Sequence, residues 1–327
     1  MIFFVTVLRA LAAMIITNAH YVGVYPTDLI ANGGLLGDVI FFAVSGFCLA
    51  NPKLGFFRWY GKRISRIYPQ VWLITLLYAL IGIFSFAESG VFGLLVYPTN
   101  YHFVASIMAL YIPFYFVSKY LLTRETDGRR WLWILFAAVL AAQLAVYIFA
   151  VDKTVYTVDT VRKPFIRFLF AVAMLIGVYF RMYLPKYRNK NRVINWIVLV
   201  CLLPVYFVSK IAFSKYAAFS NFQILNQYIL LLLLWFVFRC FAGIDGRLEH
   251  LPQWVKKIIG FISEITLEIY IVQIGIIPFF AKLVPFPLNW IVLTSVIVGG
   301  AFLLHFVTKQ LVNGSVYLIQ KVRKQIR

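Results

Sequence analysis

The chain has 327 residues, of which 63% are hydrophobic and 13% are charged, and its net charge is +20. Soluble domains average about 45–50% apolar and about 25% charged residues, so this composition excludes an ordinary soluble protein. Apolar runs of about 20 residues recur along the whole length and predict an all-α, polytopic bundle of transmembrane helices.

Hydropathy predicts about ten spans in chain order. They cover approximately 2–23, 34–51, 67–87, 101–118, 131–150, 164–182, 193–209, 223–241, 258–280 and 288–308. Of the 31 lysines and arginines, 23 fall in alternate segments between these spans. The positive-inside rule therefore predicts that both termini are cytoplasmic.

The spans predict one transmembrane domain over residues 1–312 and a separate tail over 313–327. In the tail, apolar residues recur at helical intervals with basic residues between them, which is typical of an amphipathic helix on the inner leaflet. The lysines and arginines lie in alternate loops, where they are attracted to anionic membrane lipids. This attraction accounts for the net positive charge, so no nucleic-acid partner is expected. Cys48, Cys201 and Cys240 are predicted to be buried free thiols, and their spacing suits no metal site.

His20 and Asp38 are the first candidates for chemistry. His20 lies 11 residues after Arg9 on the first span, or about 16 Å along a helix, which favours a position near mid-membrane. Histidine suits a general base near neutral pH, whereas the alternative is a histidine bonded between helices or in the outer headgroup region. Asp38 could orient His20 across the short connection, or it could simply be an acid favoured near a helix N-terminus.

Arg63 and Arg66 form an Arg-x-x-Arg pair at the predicted cytoplasmic entrance of the third span. Ordinary positive-inside anchoring explains each residue singly. Two guanidinium groups one helical turn apart can also hold one phosphate group. Pro69 predicts a helix start or a kink here, and a helix N-terminus beside two arginines would make a good anion site.

The ninth span is unusually polar. Glu264 and Glu268 are four residues apart and share a helix face, and Tyr270 and Gln273 follow them. Such polarity usually lines a cavity or the bundle interior, although Glu264 could remain at the cytoplasmic interface. His102, at the start of the fourth span, is a weaker candidate. The further residues predicted to line the same cavity are Arg9, Ser45 and Tyr68.

Four segments resemble motifs of the acyltransferase 3 family of membrane O-acyltransferases. Residues 8–13 followed by His20 resemble its LRxxAxxxVxxxH opening, and residues 37–47 resemble GVDxFFxxSGF. Residues 62–69 resemble RRxxRIxP, and residues 263–273 are similar to the late SxxxYLxH motif. The first three motifs together are specific, whereas any one alone would be weak.

The resemblance implies a ten-span bundle in a bacterial plasma membrane. Such enzymes take an acyl group, commonly acetyl, from cytoplasmic acyl-CoA and pass it to a hydroxyl of a glycan or lipid-linked sugar. By motif position, His20 would be the catalytic histidine, and Arg63 and Arg66 would serve acyl-CoA use. Acetyl-CoA would be a cosubstrate with no further cofactor bound. Two departures are Asp38 directly after Gly37, and Gln273 where a histidine is common.

The resulting hypothesis is an acetyl-CoA-dependent O-acetyltransferase of the surface-polysaccharide type. His20, oriented by Asp38, would activate a sugar hydroxyl, and Arg63 and Arg66 would hold the CoA phosphates. The alternative is a transporter or flippase for a glycolipid or acyl group, which would use the same polar core without chemistry. The sequence does not determine which acceptor is used, whether a covalent acyl-enzyme forms, or whether the protein is a homo-oligomer.

Overall fold

A computed structural model describes the backbone of residues 2–123, 127–281 and 283–325, and it describes side chains as far as Gly314 except for Ser89. The described residues form helices and no strand, which confirms the all-α prediction. The α-helices are α1 (Phe3–Ala19), α2 (Gly34–Leu49), α3 (Phe56–Leu80), α4 (Phe86–Val91), α5 (His102–Val117), α6 (Gly128–Ala150), α7 (Ile166–Met182), α8 (Leu184–Tyr187), α9 (Val193–Lys215), α10 (Ile224–Gly243), α11 (Asp245–Glu249), α12 (Gln253–Glu264), α13 (Thr266–Phe280) and α14 (Leu288–Gln325).

A helix underlies each of the ten predicted spans. Among the described residues, five helices are long and apolar enough to cross a membrane, and the bent pair of α12 and α13 makes up to six. The helices α1 and α2 are shorter and equally apolar. A polytopic helical membrane protein is therefore confirmed, whereas the count of ten and the cytoplasmic termini stay predictions. The tail at 313–327 also stays a prediction, because side chains from residue 315 on lie outside the described residues.

The third span differs from its prediction at its start. The sequence predicts a span over 67–87, but α3 begins at Phe56 and contains Pro69 in its interior. The Trp59 ring packs on the rings of Tyr111 and Tyr115, at centroid distances of 5.7 and 5.2 Å, and this packing extends the helix well before Pro69. The prediction of a helix start at Pro69 is therefore wrong.

The ninth span is broken rather than continuous. The sequence predicts one helix over 258–280, but α12 ends at Glu264 and α13 begins at Thr266, with a bend of 66° between them. At the break, the Thr266 hydroxyl donates to the carbonyls of Ile262 and Ser263, at 3.1 and 2.9 Å. Such side-chain bonds compete with the backbone ladder and accompany bends in helices. The bend directs the polar start of α13 into the bundle.

The helix α2 lies at the centre of the bundle and packs against α1 and α7. Its contact with α7 depends on small residues, because a Cβ on Gly177 would overlap the Ala43 carbonyl oxygen and a Cβ on Gly46 would overlap that of Met174. Small residues let helix backbones approach closely in membranes, where burial of apolar surface alone does not favour association. This contact holds Asp38 and Ser45 inside the protein.

We expect Gly177→Ala to lower the free energy of unfolding by about 3 kcal/mol or more, since overpacking against backbone forces the two helices apart. Thermal unfolding in detergent would measure this loss. Gly299→Ala is the matched control, because a Cβ there meets no atom within 4 Å and alanine favours a helix. Similar unfolding temperatures for both variants would contradict the packing explanation.

A polar cluster fixes the predicted inner end of the bundle. Asp245, which is fully buried, accepts hydrogen bonds from the backbone N–H of Phe4 at 2.7 Å and from Arg188 Nε at 2.6 Å. Arg188 also pairs with Glu249 at 2.8 Å, and these carboxylates raise the pKa of its guanidinium. The cluster supplies an acceptor for a backbone N–H at the start of α1, which has no partner within the helix. It therefore fixes the axial position of α1, which carries Arg9 and leads directly to His20.

Candidate active site

A cavity of about 320 Å³ opens between α1, α2, α3, α5, α13 and α14. Its lining brings together residues that are far apart in the sequence. The predicted site residues in this lining are Arg9, Ser45, Arg63, Arg66, Glu264 and Glu268.

One wall of the cavity is cationic. Arg9 and Arg63 are half-buried and Arg66 is exposed, and no described carboxylate forms an ion pair with any of the three. The Arg63 guanidinium lies 5.2 Å from the Trp59 ring, and its Nε is buried without a described partner. The charges of all three arginines act on the Tyr111 hydroxyl. Three arginines without counter-ions around one cavity form a binding site for an anion.

The anion site does not use a helix N-terminus. Because α3 begins at Phe56, Arg63 and Arg66 project from its interior, and the predicted contribution of unpaired N–H groups near Pro69 is wrong. The guanidinium groups themselves, one turn apart on the same face, supply the hydrogen-bond donors.

The opposite wall is acidic. Glu268 is only 2% exposed, and its carboxylate contacts His305 Nδ1 at 2.8 Å and Gln70 Nε2 at 3.3 Å. Glu264 lies 3.7 Å from His305 Nε2, with its side chain 62% exposed. The cavity therefore has a cationic side on α1 and α3 and an acidic side, bridged by His305, on α12, α13 and α14.

We expect Glu268→Ala to lower the free energy of unfolding by roughly 1–3 kcal/mol, because His305 and Gln70 would lose their acceptor. The matched control is Glu264→Ala, which removes an exposed carboxylate from a longer contact and should change stability by less than about 1 kcal/mol. Thermal unfolding of the purified variants would compare them. Equal destabilisation by the two changes would refute a structural role for the buried carboxylate.

A narrow apolar passage leads away from this cavity. It has a volume of about 10 Å³ and shares Phe41, Phe103, Thr266 and Leu267 with the larger cavity. Its other lining residues include Ile16 and Tyr270, and both contact His20. The passage therefore lies between the cationic cavity and residues that contact His20.

His20 directly follows α1 and is exposed. Its Nδ1 lies 2.7 Å from the carbonyl oxygen of Ile16, and because a carbonyl only accepts, Nδ1 carries the proton. The other nitrogen, Nε2, then has a free lone pair. Its ring also lies 6.4 Å from the Tyr270 ring, in an edge-on arrangement. A held neutral imidazole with a free Nε2 is the form that a general base requires.

Gln273 is the side chain that supports His20. It is fully buried, and its amide nitrogen lies 3.3 Å from His20 Nδ1, while its amide oxygen has no described partner. Turning this amide by 180° would direct the oxygen at Nδ1–H, which the Ile16 carbonyl and Gln273 would then share, and would give the amide oxygen a partner. The residue that departs from the family motif is therefore the one that contacts the histidine.

Asp38 is buried in α2 and is not brought into direct contact with His20. Within the described part of the chain, no hydrogen bond or ion pair joins the two side chains. The charge of Asp38 instead acts on the phenol groups of Tyr270 and Tyr206. Orientation of His20 by Asp38 therefore stays a prediction.

Four predicted cavity residues lie outside its wall. Tyr270 lines the passage and Gln273 contacts His20, as described above, and the other two lie elsewhere. The Tyr68 hydroxyl donates to the Val96 carbonyl at 2.5 Å, which fastens α3 to the segment after α4. His102 is half-buried at the start of α5, next to Phe103, and lies within range of the charge of Arg162. Neither residue is part of the cavity wall.

Sequence reasoning missed four polar residues of the cavity. His305, Gln70, Tyr111 and Cys48 line it. Cys48 and Cys201 are exposed, which corrects the prediction of buried thiols, whereas Cys240 is buried. The Cys48 sulfur lies 3.9 Å from Arg9 Nη2. The available signal was polarity within apolar runs, namely Gln70 just after Pro69 and a histidine inside the last span.

The arrangement can bind an anion at the arginines, and it places a small apolar passage beside residues that contact His20. A family model described as an acyltransferase domain, that of the acyltransferase 3 family, matches residues 2–308. No curated protein and no solved structure matches the chain. Since the match covers nearly the whole chain, the protein belongs to the acyltransferase 3 family of membrane acyltransferases.

Proposed function

We propose that the protein is an O-acetyltransferase. It moves an acetyl group from cytoplasmic acetyl-CoA to a hydroxyl of a cell-surface or lipid-linked polysaccharide, in a bacterial plasma membrane. The observation that carries this proposal is the cavity with three arginines that lack counter-ions among the described residues. Beside it lies a small apolar passage whose lining residues Ile16 and Tyr270 contact His20.

The donor is acetyl-CoA because its parts suit the site in order. Its phosphates bind Arg9, Arg63 and Arg66, whose charges no described carboxylate neutralises. Its pantetheine arm, long and slender, enters between Phe41 and Phe103, and the thioester reaches His20. The passage requires side-chain movement to admit the arm, because the rings of Phe41 and Phe103 are in contact, with centroids 4.8 Å apart.

His20 acts as the general base. Nε2 takes the proton from the acceptor hydroxyl while Nδ1–H stays bonded to the Ile16 carbonyl, which holds the ring in place. The oxygen attacks the thioester carbon, the C–S bond breaks, and the CoA thiolate leaves and takes up a proton. Transfer is direct in this scheme.

A test can use the protein's own cysteines. Cys48 lies on the cavity wall beside Arg9, whereas Cys201 is exposed on α9 outside it. Acetyl-CoA at saturating concentration should block maleimide labelling of Cys48 and leave labelling of Cys201 unchanged. Purified protein in detergent should also transfer radiolabelled acetyl groups from acetyl-CoA to polysaccharide. Failure of both would reject the acetyltransferase, and glycolipid movement across vesicles without acetylation would establish the transporter.

A further inference from the structure

The narrow passage near His20 has room for one small group. Its volume of about 10 Å³ corresponds to a single water molecule or methyl group. Ala13 and Ile16 line it from α1, and Ile269 and Tyr270 line it from α13. None of these lining residues belongs to the cavity that holds the three arginines, so the passage is a space of its own.

The hydroxyl groups in the walls of the passage are already bonded. Thr266 and Tyr270 carry the polar side chains among its lining residues. The Thr266 hydroxyl donates to the carbonyls of Ile262 and Ser263, and the Tyr270 hydroxyl accepts from the backbone N–H of Phe103 at 3.4 Å. A buried water needs about 2–4 polar partners, so the passage favours an apolar group over a water molecule.

Two residues of the passage also contact His20. The carbonyl oxygen of Ile16 lies 2.7 Å from His20 Nδ1, and the Tyr270 ring lies 6.4 Å from the His20 ring. In an acetyl thioester, the methyl group is bonded to the carbon that the acceptor oxygen attacks. The methyl group therefore lies close to the base when transfer occurs, and the passage is an apolar space in that position.

The wall on the side of α1 is held by the helix behind it. A Cβ on Gly37 of α2 would lie 2.6 Å from Ile16 Cγ1, so the α2 backbone packs directly on the Ile16 side chain. Ala13 and Ile16 are both buried. Because α2 occupies the space behind Ile16, this wall cannot recede to admit a larger group.

The wall formed by Phe103 is held in the same way. Its ring centroid lies 5.1 Å from that of Phe42 and 5.4 Å from that of Tyr270. Phe42 in turn stacks on Phe170, with centroids 4.1 Å apart. Closely packed interiors tolerate an added methylene poorly, because the neighbouring side chains have no space into which to move.

We infer that the passage is an acyl pocket, which admits the methyl group of an acetyl donor and excludes longer acyl chains. Ala13, Ile16 and Ile269 set this limit, because their apolar side chains border the space. The inference rests on the proposed function, because it assigns the residues that select the acyl group for that transfer.

The first test compares acetyl-CoA, propionyl-CoA and butyryl-CoA as donors for wild type in detergent. Surface polysaccharide from cells that produce the protein, de-esterified with alkali, serves as the acceptor. We expect kcat/KM to fall by about 10–200-fold from acetyl to propionyl, which is the usual effect of one methylene in an apolar pocket. Protection of Cys48 from maleimide should be similar for the three donors, because the CoA phosphates bind at the arginines.

The second test changes the size of the pocket. Ile16→Ala enlarges it and should raise the ratio of propionyl to acetyl kcat/KM by about tenfold or more. Ile16→Val removes one methyl group and should shift the ratio in the same direction, which covers the case of an unstable alanine variant. Ile15→Ala is the matched control, because Ile15 is adjacent on α1 and lines neither the passage nor the cavity. Ala13→Val fills the pocket and should lower acetyl transfer while acetyl-CoA still protects Cys48.

Equal kcat/KM for the three donors in wild type would overturn the inference. An unchanged ratio in both Ile16 variants, or the same change in Ile15→Ala, would overturn it as well. The proposed function fails in a different way, namely through no transfer from any of the three donors and no protection of Cys48. Acetyl transfer without a preference for chain length would reject only the acyl pocket.

Discussion

Replacing His20 with alanine should lower kcat for acetyl transfer by about 10²–10⁴-fold, which is the usual contribution of a general base. Acetyl-CoA binding should change by less than about twofold, because the CoA phosphates bind at the arginines, at the opposite end of the passage. Steady-state transfer of radiolabelled acetyl groups would give kcat, and protection of Cys48 from maleimide would report donor binding.

The protein contains a matched control for this change. His250 Nδ1 lies 2.6 Å from the Gly246 carbonyl, which is the same bond to the residue four positions earlier that His20 makes with Ile16. His250 lies outside the cavity and the passage, so His250→Ala should retain wild-type transfer. If His20→Ala kept its kcat, or lost donor binding together with kcat, the imidazole would not be the base.

Replacing Arg63 and Arg66 together with alanine should weaken acetyl-CoA binding by roughly 100-fold or more. Each lost hydrogen bond to a charged group contributes about 1.5–3 kcal/mol, and each 1.4 kcal/mol corresponds to a factor of ten. Equilibrium binding of radiolabelled acetyl-CoA would measure the loss, and Cys48 should no longer be protected at concentrations that protect it in wild type.

The corresponding control removes the same amount of charge from the same end of α3. Arg58 and Lys62 are exposed and do not line the cavity, so the Arg58→Ala/Lys62→Ala protein should bind acetyl-CoA normally. An equal loss in both double variants would mean that α3 contributes only a diffuse positive field. Unchanged binding in the Arg63→Ala/Arg66→Ala protein would exclude the cavity as the donor site.

Together the two variants separate donor binding from chemistry. A transporter with the same polar core would show neither a selective loss of kcat nor acetyl transfer in any form. A membrane acyltransferase should show a selective loss of kcat in His20→Ala. It should show a loss of acetyl-CoA binding in the Arg63→Ala/Arg66→Ala protein. The distance along α1 between Arg9 and His20 makes this separation possible.

The basic motif could be found from the sequence, but its surroundings could not. Arg63 and Arg66 are one turn apart in any helix, so their shared face follows from spacing alone. Whether the helix began before or after Pro69 depended on ring contacts of Trp59 with α5, and those contacts join residues about 50 positions apart. The usual restriction on residues before a proline favoured a helix start at Pro69, whereas α3 begins at Phe56.

The support of His20 was decided by packing. Asp38 is the nearer candidate in sequence, and a carboxylate is the usual partner for a catalytic histidine. The helix that follows the bend between α12 and α13 instead brings Gln273 to His20, 253 residues away in the chain. The same helix carries Glu268, which meets His305 of α14 at the cavity wall.

The sequence by itself determined the helical membrane class, the family and the residues that carry charge or basicity, because each depends on composition or short-range spacing. The tertiary structure decided which of those residues meet. The lack of described counter-ions at Arg9, Arg63 and Arg66 and the partner of His20 both depend on the neighbours that other helices supply. Hydrophobic periodicity specifies which face of a helix is buried, but the residue opposite that face is set only when the helices pack.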